Sequence, residues 1–117
     1  MLSEEQISQY HIDGYVIARS VIDEALLGRV KNVVAEMLNE AKGLHDHDEK
    51  FDLEPSHSPK SPKVRRIKTP HKWHPIFWEL IQTQKMISCL TSLLGGDVRL
   101  HGSKLNLKSP QDGSAVE

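Results

Sequence analysis

Three stretches of this chain carry side chains able to do chemistry. The first is "HDHDE" (45–49), where His45 and His47 alternate with acids and could chelate a cation. His47-Asp48-Glu49 also has the His-x-acid form seen in metal sites. A metal site needs ligands held rigid and oriented by further hydrogen bonds, whereas this cluster lies in a polar, proline-flanked segment. A solvated loop is the favoured reading. The second stretch is "KSPKVRRIKTPHK" (60–72), with six Lys and Arg, no acid, and Trp73 and Trp78 nearby. Cations that neutralise phosphates beside aromatics that stack on bases make a nucleic-acid surface. Against it, Trp78 falls in an apolar helical pattern with Ile76, Phe77 and Ile81, a core position, and the whole chain is not basic. No nucleic-acid partner is expected.

The third stretch is "KLNLK" (104–108). In a regular strand Lys104, Asn106 and Lys108 share one face, and Leu105 and Leu107 the other. The leucines need a core, so the lysines point the opposite way. In an open sheet that way is water. In a barrel or sandwich it is an internal cavity, where buried cations require an anionic ligand. Lys63, opening "KVRRIK", is another such cation. Spacing alone leaves both readings open.

The elements that must position these residues are legible in part. Ser3 is a helix N-cap with Gln6 three residues on, as in a capping box, and Leu2 can staple to Ile7. "HIDG" ends that helix at Gly14, and "YVIARS" (15–20) reads as a short strand. Asp23 caps a longer helix, closed by Lys42 and Gly43. Its apolar positions Leu26, Leu27, Val30, Val33, Val34, Met37, Leu38 and Ala41 repeat the helical period. Residues 44–62 have no periodicity and read as an irregular, mobile loop or lid. "KVRRIK" reads as strand, Pro75 opens a short helix "PIFWELIQ", and Thr83 caps "QKMISCLTSLL", which Gly95 and Gly96 end. "DVRLHGSKLNLK" (97–108) reads as strand, its apolar parity changing at Gly102 through a bulge or a break. A turn rich in Pro, Asp and Gly follows, which normally leads into another strand.

At 117 residues, 38% of them hydrophobic and 26% charged, the chain fits one soluble globular domain. No apolar run approaches the roughly 20 residues of a membrane span. The acidic start "MLSEEQ" is unlike a secretory signal, so a cytoplasmic setting is expected. A single cysteine, Cys89, excludes an intrachain disulfide framework and a cysteine-based zinc site. It sits in "MISCLTSLL", where a buried apolar role is expected. The formal charge of −1 hides an asymmetry: residues 1–54 balance to −7 and residues 55–117 to +6. That local excess of cations calls for an anionic partner or for water.

The order of these segments resembles the phytanoyl-CoA dioxygenase family. The opening "LSEEQISQYHIDGYVIARSVIDEALLGRVKNVV" is similar to its first helix, Asp-Gly stop, short strand and long amphipathic helix. The middle "PKVRRIKTPHKWHPIFWELIQTQKMISCLTSLLGGDVRL" is similar to its Lys-x-Arg segment, H-P-x-F helix and terminal LLG. The end "KLNLKSPQDGSAVE" resembles the strand and turn before its His-x-Asp motif. The resemblance implies an α+β fold, helices packed on part of a double-stranded β-helix (jelly roll) that is incomplete in this chain. It implies that residues 1–117 form the N-terminal portion of one dioxygenase-like domain. The parent enzyme would use Fe(II) and 2-oxoglutarate to hydroxylate a small-molecule substrate.

By the same resemblance, Lys63 matches a lysine that reaches the 2-oxoglutarate carboxylate. Lys104 stands where a cosubstrate-contacting methionine is common, and Lys108 matches a recurrent lysine of that strand. No catalytic residue and no metal ligand can be carried over, because the His-x-Asp motif, the second histidine and the 2-oxoglutarate arginine would all follow Glu117. The chain alone is therefore expected to hold neither iron nor cosubstrate and to be inactive. The alternative is a non-catalytic binding or assembly module of the same origin, pairing with a second copy through uncovered strand edges.

Overall fold

The computed structural model describes residues 1–108; the turn expected after Lys108 lies outside the described residues. Helix α1 (Glu4–Asp13) starts where the capping box places it. Ser3 Oγ accepts from the Gln6 amide at 3.2 Å, and Gln6 Oε1 accepts from the Ser3 amide at 2.9 Å. Gly14 ends it in the left-handed conformation (φ 84°), which costs glycine no Cβ clash. Helix α2 (Glu24–Glu40) is capped by Asp23, whose Oδ1 accepts from the Leu26 amide at 2.7 Å. A single 3₁₀ turn over Ala41–Gly43 closes it. Its apolar stripe lies on the core, with Leu26, Met37 and Ala41 buried.

Strands β1 (Phe51–Leu53), β2 (Val64–Lys68) and β3 (Lys104–Asn106) form an antiparallel sheet in the order β1-β2-β3. Between β2 and β3 come the short helices α3 (Pro70–Trp73) and α4 (Ile76–Ile81) and the longer α5 (Gln84–Leu94). The register aligns Phe51, Ile67 and Leu105 in one row across the sheet and Asp52, Arg66 and Asn106 in the next. Paired residues share a face and successive residues alternate, so the first row meets the helices and the second faces away from them. Ile67, 0% exposed, is the centre of the core; α2, α4 and both outer strands close over it.

Four expectations are corrected. Residues 15–20 form no strand, and Tyr15 and Ile17 stay 61% and 62% exposed. A β-branched sequence supplies propensity only; a strand also needs a partner, and no described strand offers its edge to this segment. Residues 44–62, read as irregular, contain β1, whose three residues are too few to show a period against the prolines and histidines around it. The strand expected over 97–108 forms only at 104–106, and the register slip lies elsewhere, between Asp52 and Leu53, where Arg65 is the extra residue on β2. Trp78 is 40% exposed rather than core, its ring edge-on to His71 at 5.4 Å between centroids.

The two sheet edges differ. On β1, the Phe51 and Leu53 amides point away from β2 and donate to Asp48 Oδ1 (2.6 Å) and His47 Nδ1 (2.8 Å), while Phe51 O accepts from the Asp48 amide. The preceding loop thus closes that edge. On β3, Leu107 N–H bonds Arg65 O and Ser103 O accepts from Thr69 N–H. Alternation then turns the backbone groups of Lys104 and Asn106 outward, where no further strand pairs with β3 among the described residues.

Truncating Ile67→Ala should cost about 2–5 kcal/mol, the range for a large-to-small change in a closed core; urea unfolding checks it. A second prediction concerns Arg29 of α2, which holds Glu79 of α4 bidentately at 2.6 and 2.8 Å. These hydrogen bonds keep the Glu79 carboxyl below its ordinary 4.5. A depressed carboxyl stabilises the fold above its unfolded value and loses that contribution as pH falls through the folded one. The difference in urea midpoint between the natural chain and Glu79→Gln should therefore be present at about pH 6 and shrink as pH falls below 4.5.

Candidate functional site

The sheet face turned away from the helices carries charge. Asp52 sits in its middle row, with Arg66 Nη1 3.4 Å from Oδ2 and Lys68 Nζ 3.3 Å from Oδ1. Arg66 Nε donates to Asn106 Oδ1 at 2.9 Å, which turns the Asn106 amide NH₂ toward the open side. Lys68 Nζ also donates to Asp48 O at 2.6 Å, and Lys104 stands opposite Lys68 on β3. The side chains of Arg66 and Asp52 are only 13% and 20% exposed. Two cations, Arg66 and Lys68, hold one carboxylate, and Lys104 stands next to Lys68 across the strands, so the face carries more positive than negative charge. It offers hydrogen-bond donors and positive charge but no paired nucleophile and base.

The three lysines singled out in the sequence are divided. Lys104 is on this charged face. Lys63 and Lys108 come together at the other end of the strands, in a cleft of about 430 Å³ between the C-terminal half of α2 and the sheet, beside Leu38, Lys42, Val64 and Leu107. Lys104 lies four residues from Lys108, roughly 13 Å along an extended chain. Arg66, Asp52, Asn106 and Lys68 were missed as site residues. The alternation in "KVRRIK" places Arg66 and Lys68 on one face, but only the pairing with β1 and β3 shows that Asp52 and Asn106 join them.

Two of the loop histidines, His47 and His57, have structural work. His57 Nδ1 accepts from the Lys63 amide (2.9 Å) and its Nε2 bonds Leu44 O (2.8 Å), which fixes a neutral ring with the proton on Nε2. His47 Nδ1 accepts from the Leu53 amide, so that nitrogen carries no proton and its 3.8 Å approach to Asp52 is no ion pair. His57 and His47 tie the loop to β1 and β2, while residues 45–49 stay exposed, as expected of a solvated loop. Among the described residues, no three His, Cys, Asp or Glu converge on a point where one ion could bind. The described residues therefore do not fit an iron site. Nor is any helix among them long and apolar enough to cross a membrane.

No family model matches the chain. Over 106 residues, 91% of its length, it is 26% identical to a probable alpha-ketoglutarate-dependent hypophosphite dioxygenase of Stutzerimonas stutzeri. The match takes in 37% of that protein, so the chain spans little more than a third of the curated relative's length. The likeness is to a 2-oxoglutarate-dependent dioxygenase, in agreement with the general kind of enzyme that the sequence resembles.

Replacing Asp52 by Ala should destabilise the fold by about 1–2 kcal/mol, since it leaves Arg66 and Lys68 side by side without their shared carboxylate. Removing Arg66 as well should recover part of that loss. Urea unfolding of Asp52→Ala, Arg66→Met and the double variant measures the coupling; strict additivity would show that the three groups do not act together.

Proposed function

We propose that this chain is the N-terminal part of a non-haem Fe(II)- and 2-oxoglutarate-dependent dioxygenase of the phytanoyl-CoA dioxygenase kind, acting on a small-molecule substrate in the cytoplasm and inactive by itself. One observation carries the reading: a sheet with helices on one face and a cationic, preorganised second face, in a chain similar to a 2-oxoglutarate-dependent dioxygenase over nine-tenths of its length. In a jelly roll a second sheet would cover that charged face and make it a cavity wall. Iron would be held by residues outside the described part. What this part contributes is anion binding: Lys104, with Arg66 and Lys68 beside it, draws a carboxylate of the cosubstrate onto the sheet.

The open edge of β3 supports a second reading, the non-catalytic assembly module. Antiparallel self-pairing about Asn106 would set Lys104 opposite Lys108 of the other copy on both sides, and like charges directly opposed are destabilising. A strand of different sequence suits this edge better than a second copy, which favours the first reading.

With Fe(II), ascorbate and 2-oxoglutarate, the 117-residue chain should release no succinate above a metal-free control; turnover would overturn the reading. Sequencing past the codon for Glu117 should find an in-frame His-x-Asp. In that longer protein Lys104→Ala should weaken 2-oxoglutarate binding about 10- to 100-fold, the effect of one charge-assisted hydrogen bond. The same loss in Lys63→Ala alone would move the carboxylate to the cleft beside α2.

A further inference from the structure

We propose that the cleft between α2 and the sheet is a separate binding site for a small organic anion, a carboxylate head on a short alkyl or aryl body. At about 430 Å³ it is of small-molecule size. Three of its lining residues are lysines, Lys42, Lys63 and Lys108, and none is an acid. Leu38, Val64 and Leu107 give it an apolar floor continuous with the core. A fully polar dicarboxylate would waste that floor, whereas a carboxylate with an apolar body satisfies both parts.

The cations stand on fixed backbone. The Lys63 amide donates to His57 Nδ1 at 2.9 Å, and its carbonyl accepts from the Glu54 amide at 2.9 Å. Lys42 sits in the 3₁₀ turn that ends α2. Such anchoring lowers the ordering cost of binding. The C-terminal dipole of α2 opposes an anion here with about half an elementary charge, less than Lys42 and Lys108 supply. Asn39, on the same wall, adds an amide donor. The site is independent of the proposed dioxygenase function, since Lys104 and the Asp52–Arg66 face take no part in it.

The test is an NMR titration of the ¹⁵N-labelled 117-residue chain with sodium hexanoate, and with 1-hexanol as the neutral isostere. Hexanoate should shift the amides of Lys42, Lys63, Val64, Leu107 and Lys108 saturably, and hexanol should not. Lys42→Ala and Lys63→Ala should each weaken binding about tenfold, the lower end for a charge-assisted contact near the surface. Lys42→Arg should retain it. Should Lys63→Ala perturb the spectrum of the whole fold, Lys42→Ala, on an exposed turn, still decides the matter. Equal binding of hexanol, shifts spread evenly over all surface lysines, or displacement of hexanoate by an equal concentration of 2-oxoglutarate would each overturn the proposal. Failure here would leave the succinate and Lys104 results to stand or fall alone.

Discussion

Everything in this structure depends on the two-faced pairing of β2. Ile67 and Arg66 are neighbours in the chain, yet the pleat sends one into the core and the other to the opposite side. Phe51 and Leu105 flank Ile67 in the same row, and Asp52 and Asn106 flank Arg66. Burying the first row therefore presents the second. The hydrophobic and the charged faces are set by one register, and a slip of one residue would exchange them.

The helices make that register hold. Capped cleanly by Asp23, α2 lays its stripe along the sheet, and Arg29 ties it to α4. On the far side the loop over 45–50 spends its histidine and aspartate side chains on the backbone of β1, which ends the sheet there. The other edge, at β3, keeps its backbone groups turned outward, and its alternating lysines disfavour a like-charged copy.

Much of this was legible in the chain. Capping residues and helical stripes mark α1, α2 and α5 because those signals are local, within four residues of one another. The buried state of Cys89 follows from its apolar surroundings. Strands were harder. "YVIARS" has strand composition and no partner, whereas "FDL" is a strand of three residues hidden in a polar loop and made so by β2. Trp78 sits on a helix with an apolar pattern, but the helix is only six residues long, and its short arc leaves the indole at the rim against His71.

The same division runs through the candidate sites. By itself the sequence determined that cations are concentrated in its second half, that Lys104, Asn106 and Lys108 alternate with leucines, and that the segments follow the order of a dioxygenase family. Each of these is a property of neighbours along the chain. Only the tertiary structure decided that Arg66, Asp52 and Asn106 form one row, that Lys63 and Lys108 meet Lys42 across a cleft, and that Lys104 stands apart from them. Contacts between residues tens of positions apart are set by strand register and by where α2 comes to rest. Those in turn follow from closing the whole core around Ile67, a sum over many side chains that no single motif encodes.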